Sequence, residues 1–341
     1  GIIGQGYVGT AVKTVFEKHY DIKTYDKYEE DKTNVKNIAE LITESDLIFV
    51  CVPTPMDPDG SCNITIVEEV IDLLNLKYKL LQLIVPKVIA IKSTIPPGTT
   101  KMLQDKYNTM GIVFNPEFLT EANFIEDFKN QDRIIIGGDR PHSTFVKEKY
   151  SKVFPNAKII KTGSKTAEMV KYFTNSFLAT KVSFANEMKE ICDVVGIDYD
   201  KVVEYSTYDN RLGTSHWAVP GPDGKRGFGG SCFPKDINAV MSLAYDWGVT
   251  TPLLKGAWDR NLISRPEKDW EELKGRAVTD SKDVIMGATE KFSDGVKRLN
   301  QTKIQTEYRK EHPKEEDVIP GIKSLTLWSK MSYINRRVKD V

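Results

Sequence analysis

The sequence predicts an α/β fold: a doubly wound parallel sheet, then a long connecting helix, a central all-α region and an irregular or helical C-terminal tail. Short apolar runs alternate with helical patterns in the N-terminal half, which is typical of parallel strands joined by crossover helices. The stretch Lys165 to Val195 lacks proline and glycine, and its apolar residues recur at helical spacing. The C-terminal stretch is polar with mixed charges. We therefore expect three parts: 1–160, 161–266 and 267–341.

Composition indicates a globular chain without a dominant charge. The 341 residues include 48 basic and 48 acidic side chains, so no global field attracts nucleic acid or an anionic membrane. The apolar segments are too short to span a bilayer, and no charged-then-apolar leader opens the chain. Cys51, Cys62, Cys192 and Cys232 lie far apart without a C-x-x-C pair, which argues against a zinc site or a disulfide framework. We expect a cytoplasmic protein that binds no metal, nucleic acid or membrane.

The first strand, Gly1 to Ile3, leads into a glycine-rich motif of the form G-x-G-x-x-G. A helical pattern follows, and the next short strand, Asp21 to Tyr25, ends at Asp26. Glycines at these positions permit a tight turn and let a pyrophosphate approach the helix N-terminus, while the later acid accepts hydrogen bonds from ribose hydroxyls. An acid there repels a 2′-phosphate and favours NAD over NADP. The sequence thus predicts a Rossmann-like NAD site formed by Gly4, Gly6, Tyr7, Val8, Gly9 and Asp26.

The later strands of the predicted sheet end in unusual loops. Apolar runs predict strands at 47–52, 88–91, 112–114 and 134–137, with helices at 64–74 and 99–107. The loops that follow are Val52-Pro53-Thr54-Pro55, Lys92-Ser93-Thr94-Ile95-Pro96-Pro97-Gly98 and Asn115-Pro116-Glu117-Phe118-Leu119-Thr120-Glu121. Ligands of open α/β sheets bind at the carboxyl ends of strands, so we expect these loops to line a site. Each loop taken alone is also consistent with ordinary proline-rich turns.

The long central helix predicted from Lys165 to Val195 spans about 45 Å at 1.5 Å per residue and ends at Gly196. A helix of this length usually links two domains or lines a subunit interface. Lys171 and Asn175, four residues apart, share one face of it. That face is either a solvated stripe or, if it meets the loops above, part of the site. Two more helices are predicted at 234–247 and 251–263.

The segment Gly227 to Asp236, G-F-G-G-S-C-F-P-K-D, carries a cysteine on a glycine-rich turn. Pro234 suits an early helical position, so Cys232 is expected at a helix N-terminus. There the backbone N–H groups and the helix dipole favour a thiolate, and the glycines let a substrate approach it. Cys232 is therefore a candidate nucleophile. The alternative is a buried, unreactive cysteine in a tight turn.

Together these motifs resemble the nucleotide-sugar dehydrogenases of the UDP-glucose/GDP-mannose dehydrogenase family, and within it the UDP-glucose 6-dehydrogenases most closely. The matching pieces, in the family's order, are G-Q-G-Y-V-G at Gly4–Gly9, V-P-T-P at Val52–Pro55, K-S-T at Lys92–Thr94, N-P-E-F-L-x-E at Asn115–Glu121, A-E-x-x-K-x-x-x-N at Ala167–Asn175, D-x-R-x-G at Asp209–Gly213, and the cysteine segment. The resemblance implies NAD-dependent oxidation of a sugar alcohol to an acid. This reaction removes four electrons, so two NAD must turn over.

The resemblance also implies residue roles. Cys232 captures the aldehyde as a thiohemiacetal, which a second oxidation turns into a thioester. The other implied catalytic residues are Lys171 and Asn175 for oxyanion charge, Asp236 for a catalytic water, Glu117 as the base for hydrolysis and Thr94 near the reacting carbon. The implied substrate contacts are Glu117, Phe118, Leu119, Lys171, Asn175, Arg211, Gly229 and Phe233, and further cofactor contacts are Val52, Pro53, Thr54, Thr94 and Glu121. Arg211 matches an arginine that reaches the neighbouring subunit's substrate site, which implies a homodimer through the central helical region.

The tail departs from the family pattern. Nothing after Pro266 resembles the third, nucleotide-binding domain that grips the uridine diphosphate in the family. The segment Glu267 to Lys274 predicts a short helix. The spacing from Leu325 to Val338 predicts an amphipathic helix that docks a partner or membrane, or packs on its own protein. We therefore expect a truncated relative whose Thr214 to Gly224 loop, tail or partner chain holds the diphosphate.

Four functions fit these observations. The leading one is oxidation of UDP-glucose to UDP-glucuronate, which the S-H-x-x-V-P-G-P-D-G segment favours. A UDP-N-acetylmannosamine or GDP-mannose dehydrogenase is the alternative within the same class of enzyme. The third function is a catalytically idle NAD-binding scaffold, but a scaffold needs none of the implied catalytic residues, so their presence speaks against it. The fourth is a one-step hydroxyacid dehydrogenase, and the candidate nucleophilic cysteine speaks against that function because such an enzyme has no use for it.

Overall fold

The computed structural model of the protein describes residues 1–280. One compact unit comprises Gly1–Tyr245 and Thr250–Ala288, and it holds all the strands of residues 1–280 and the candidate site. The other unit groups Asp246–Val249 with residues 289–341, which lie outside the described part of the chain. The predicted helix from Leu325 to Val338 also lies outside it. The proposed three-part division of the chain stays a prediction.

Strands and helices alternate through the N-terminal half, as the sequence predicts. The strands are β1 (Ile2–Ile3), β2 (Thr24–Tyr25), β3 (Leu47–Val50), β4 (Val88–Ile91), β5 (Gly111–Phe114), β6 (Arg133–Gly137) and β7 (Lys158–Thr162). The helices are α1 (Tyr7–Phe16), α2 (Ile38–Glu44), α3 (Thr65–Leu80), α4 (Thr99–Lys106), α5 (Phe124–Lys129), α6 (His142–Val153), α7 (Ser164–Val195), α8 (Tyr199–Ser206), α9 (Phe233–Asp246) and α10 (Pro252–Ser264). The short helix expected at 267–274 is a 3₁₀ turn at Asp269–Glu272.

The seven strands form one sheet in the order β2-β1-β3-β4-β5-β6-β7. The predicted α/β class and doubly wound sheet are confirmed, because the chain turns back between β1 and β3 and helices cover both faces. The sheet is not wholly parallel, however. A single antiparallel pair, Phe114 with Gly137, joins β5 to β6. The connection between these strands contains only the short α5 and does not carry the chain back across the sheet, so β6 runs the other way.

Two apolar clusters bury the two faces of the sheet. Along β3, Ile48 and Val50 pack among side chains of α2, α3 and α4, whereas Leu47 and Phe49 pack among side chains of α1, α5 and α6. This alternation follows from the two-residue period of a strand. Each fully buried aliphatic or aromatic side chain contributes about 1.5–3 kcal/mol. With both faces filled, the carboxyl ends of the strands remain for a site.

Helix α7 is 32 residues long and ends at Gly196, whose φ of 71° lies in the left-handed region. The predicted long helix and its glycine cap are therefore confirmed. It packs against the sheet through β6 and against α10 further along. Helices α9 and α10 match the two predicted ones within one or two residues. None of the helices within residues 1–280 combines the length and apolar character needed to cross a bilayer.

Candidate active site

The loops that follow β3, β4 and β5 lie together at the carboxyl edge of the sheet. The Ser93 hydroxyl donates to the Val52 carbonyl at 2.6 Å, which ties the loop after β4 to the loop after β3. The Asn115 N–H donates to the Ile91 carbonyl at 2.8 Å, which ties β5 to β4 at the same edge. Parallel strands thus bring together motifs that are far apart in sequence, as expected for a ligand-binding edge.

In the glycine-rich loop Gly4–Gly9, the first and last glycines leave no room for a side chain, whereas Gly6 between them faces open space. A Cβ on Gly4, whose φ is +90°, would lie 2.5 Å from the Cys51 carbonyl oxygen, and one on Gly9 would lie 1.8 Å from the Gly4 oxygen. At Gly6, by contrast, a Cβ would meet nothing within 4 Å. Gly6 caps α1 without any side-chain hydrogen bond to the first N–H groups of the helix. This bare helix N-terminus fits the pyrophosphate of a dinucleotide.

Asp26 closes the same site from the end of β2. Its carboxylate accepts hydrogen bonds from the backbone N–H groups of Gln5 at 2.6 Å, Tyr28 at 2.9 Å and Glu29 at 3.1 Å. Partial burial opposes ionisation, but these three donors together lower the pKa of Asp26. An ionised acid bonded to the glycine-rich loop fits the ribose of NAD and disfavours the 2′-phosphate of NADP.

Cys232 is half-buried and directly precedes α9, as the sequence predicts. Its sulfur lies 3.8 Å from the Ser231 hydroxyl, and that hydroxyl donates to Glu121. Glu121 also forms a 2.9 Å ion pair with Arg276, whose guanidinium lies 4.5 Å from the ring centre of Tyr7. Glu121 therefore connects the thiol loop to the glycine-rich loop.

The shared face of Lys171 and Asn175 is buried, so the solvated-stripe alternative is wrong. The Asn175 amide donates to the Asp236 carboxylate at 2.5 Å. Lys235 binds the second oxygen of the same carboxylate at 2.5 Å. Burial works against a charge on Lys235, but Asp236 outweighs it and raises the pKa of that lysine. Since the Asp236 N–H donates to the Cys232 carbonyl at 3.0 Å, this polar cluster adjoins the cysteine.

Lys171 reaches the loop after β5. Its ammonium donates to the backbone carbonyl of Glu117 and lies 5.4 Å from the ring centre of Phe118. Glu117 is itself buried, and its carboxylate lies 2.9 Å from the ammonium of Lys92. Thr94 and Thr54, in the two preceding loops, are buried as well.

Other predicted site residues have different surroundings. Arg211 is 88% exposed and pairs with Asp209 two residues away, apart from the polar cluster of its own chain. Leu119 packs against one apolar cluster of the sheet. Phe233 packs against His216, with ring centres 5.8 Å apart. A Cβ on Gly229 would lie 2.4 Å from Asp269, so this glycine makes room for protein groups.

Sequence reasoning missed two residues, one in α10 and one directly after it, that support the thiol loop. Asn261 accepts from the Phe228 N–H at 2.7 Å and donates to the Phe228 carbonyl at 2.9 Å. Arg265, one turn later, is buried and pairs with Asp223 and Asp269. Asn261 lies within α10 and Arg265 directly follows that helix, and no spacing rule distinguishes these two polar residues from solvated ones. Lys92 and Lys235 lie inside quoted motifs and were not assigned a role.

Comparison with known proteins covers most of the described chain. The NAD-binding domain of the UDP-glucose/GDP-mannose dehydrogenase family matches residues 16–157, and the central domain of that family matches residues 165–262. Among the residues 1–280, no group of three or more His, Cys, Asp or Glu is arranged to hold a metal ion.

Individual relatives agree with this match. The chain is 35% identical to the UDP-glucose 6-dehydrogenase TuaD of Bacillus subtilis, over 68% of this chain and 50% of that protein. It is 30% identical to the UDP-glucose 6-dehydrogenase AglM of Haloferax volcanii, over 84% of this chain and 74% of that protein. A solved UDP-glucose dehydrogenase from Pyrobaculum islandicum superposes with a TM-score of 0.69 at 28% identity, covering 80% of this chain and 69% of that one. The chain thus spans about half the length of several curated relatives.

Proposed function

The chain belongs to the UDP-glucose/GDP-mannose dehydrogenase family, and from this premise we propose that it oxidises UDP-glucose to UDP-glucuronate with two molecules of NAD. The observation that supports the proposal most is the buried cluster beside the thiol, in which Asn175 and Lys235 both bind Asp236. A protein that only binds a dinucleotide has no need of this cluster.

The N-terminal residues suit the cofactor. NAD supplies a hydride acceptor for each of the two oxidations. The open position at Gly6 and the uncapped start of α1 bind the pyrophosphate, while Asp26 selects the unphosphorylated ribose. Glu121 and Arg276 lie between the glycine-rich loop, through Tyr7, and the thiol loop, through Ser231.

The thiol retains the intermediate between the two oxidations. The first oxidation removes a hydride and a proton from the C6 hydroxymethyl group and leaves an aldehyde. The Cys232 sulfur adds to that carbonyl carbon, and the resulting thiohemiacetal oxygen develops negative charge. The Lys171 ammonium and the Asn175 amide stabilise this charge within a buried site. Loss of a second hydride and the hydroxyl proton gives a thioester on Cys232.

Hydrolysis then releases the acid. A water attacks the thioester carbon, and the bond to sulfur breaks, which returns the thiolate. Asp236, fixed on both oxygens, orients the water, and Glu117 accepts its proton. The net change is two hydrides lost from one carbon and one water consumed. Arg211, exposed on its own chain, completes the substrate site of a second copy in the proposed homodimer.

The test is the ratio of NADH to uronate. Purified protein is incubated with NAD and UDP-glucose, and in separate arms with GDP-mannose or UDP-N-acetylmannosamine. We expect two NADH per UDP-glucuronate, loss of the product in Cys232→Ala, and normal turnover in Cys192→Ala, whose thiol is buried in a separate apolar cluster. A ratio of one, or turnover that survives Cys232→Ala, would overturn the mechanism. Turnover confined to another sugar would change the substrate assignment.

A further inference from the structure

We infer that Lys92 is a positioning residue: its buried ammonium pairs with the Glu117 carboxylate and fixes that side chain in the site. The catalytic part of this inference depends on the proposed function, in which Glu117 accepts a proton from water. The structural part, a buried Glu117 carboxylate whose paired cation is Lys92, does not depend on any activity.

The two side chains meet in the protein interior. The Lys92 side chain is 1% exposed and that of Glu117 is 9% exposed, with 2.9 Å between the ammonium and one carboxylate oxygen. The other oxygen of Glu117 accepts from the Phe118 N–H at 2.9 Å. Each carboxylate oxygen of Glu117 therefore has one fixed neighbour, which sets the direction of the side chain.

The sheet places Lys92 there. Ile91 of β4 pairs with Phe114 of β5, so Lys92 and Asn115 follow side by side at the carboxyl edge. The ammonium lies 3.1 Å from the Asn115 side-chain oxygen and 3.3 Å from the Tyr150 hydroxyl. The ammonium therefore has two hydrogen-bond partners and, in Glu117, one ion-pair partner. The Asn115 amide is fixed in turn by the Ile135 carbonyl at 2.8 Å.

The other titratable groups around this pair are either neutral or bound to an atom other than the Glu117 carboxylate. Burial raises the pKa of Cys51, at the end of β3, and that of Tyr150, on α6, each to about 12. Burial also opposes the charge on Lys92, but Glu117 and Tyr150 more than compensate and raise the pKa of Lys92 overall. Lys171, on α7, donates to the Glu117 carbonyl. Within residues 1–280, Lys92 is thus the cation paired with the carboxylate.

Removing Lys92 should therefore change the chemical state of Glu117. A carboxylate that is buried without a cation is neutralised by taking up a proton. A neutral acid cannot accept the proton of the attacking water, so the hydrolytic step would need a higher pH.

The experiment uses Lys92→Met, which keeps the length and apolar stem, with Lys87→Met as its matched control. Lys87 is likewise buried but lies at the other end of β4, near Asp46 and away from the site. We expect the acid limb of the kcat profile to move up by about one pH unit or more in Lys92→Met, with a smaller change in KM. The profile of Lys87→Met should match the wild type.

Infrared difference spectroscopy gives a second readout that needs no turnover. At pH 7, Lys92→Met should show the band of a buried protonated carboxyl group, and Lys92→Met/Glu117→Gln should lack it. A folded Lys92→Met with no such band and an unchanged pH profile would overturn the inference. If Lys92→Met fails to fold, the double variant should recover folding, because it removes the unpaired acid; failure to recover would also overturn it. If the wild-type protein shows no turnover, the proposed function is refuted. The infrared result still decides whether Lys92 is the cation that Glu117 requires.

Discussion

Asn175 and Asp236, 61 residues apart in sequence, share a hydrogen bond of 2.5 Å between the amide of one and the carboxylate of the other. The bond joins the long helix α7 to the first turn of α9, directly after Cys232. Asp236 is 1% exposed, and Asn175 and Lys235 bind its two carboxylate oxygens. This contact links the thiol loop to the helix that carries Lys171.

Replacing Asn175 with leucine, which has a similar size, should therefore impair the reaction more than the fold. We expect kcat to fall by roughly 10²–10³, as when one oxyanion donor is removed. The free energy of unfolding should fall by about 1–3 kcal/mol, because Asp236 keeps only one partner. Steady-state kinetics and urea unfolding measure both effects. The control is Thr174→Ala on the same turn, whose hydroxyl bonds only to Val170 within the helix; equal losses in the two variants would refute the role of Asn175.

The glycine at 229 should be intolerant of a side chain for structural reasons. A Cβ there would lie 2.4 Å from Asp269 and 2.5 Å from Arg265, so alanine must displace a buried ion pair. We expect Gly229→Ala to lower the free energy of unfolding by at least about 1 kcal/mol. Gly256→Ala, in the middle of α10 with nothing within 4 Å, should instead stabilise by about 0.5–1 kcal/mol. Thermal unfolding of the two variants compares them directly, and a neutral Gly229→Ala would contradict the packing described.

His216 should make stability depend on pH near neutrality. Burial, and secondarily Lys181, lower the pKa of His216 below its usual 6.5. As the pH falls below 6.5 the unfolded chain takes up this proton before the folded one does, so the free energy of unfolding declines. His216→Asn should remove that component, and asparagine tolerates the positive φ of 67° at this position. Urea unfolding between pH 7.5 and 5.5 should give a shallower dependence for the variant; parallel curves would disprove the effect.

Much of the fold was accessible from sequence because its signals are local. Strand β4 and helix α7 were predicted almost to the residue, since an uninterrupted apolar run and a long 3.6-residue period are strong patterns. Helices α2, α5, α6 and α8 and strand β7 were missed. The sequence of β7, K-I-I-K-T, does not alternate apolar with polar residues, so it gives no two-residue period to detect. The reversal of β6 depends on where a connection runs, which the apolar pattern does not encode.

The candidate site also has a part that the sequence predicted and a part that it did not. The proximity of Cys232 and Asp236 followed from helical spacing, whereas Asn175 was placed in the site by the resemblance to the family. The Asn261 bonds to Phe228 and the Lys92 pair with Glu117 did not, because each depends on tertiary contacts between elements far apart in sequence. A buried polar residue is recognisable only once its partners are known.

The most direct test of the whole account is to trap the sugar on the sulfur. Glu117→Gln should slow hydrolysis, so that a uronyl thioester accumulates during turnover of isotopically labelled UDP-glucose with NAD. After an acid quench and proteolysis, mass spectrometry should find the labelled uronyl group on the peptide that contains Cys232, and only when NAD was present. Steady formation of UDP-glucuronate with the label absent from that peptide, or attached elsewhere, would contradict the account.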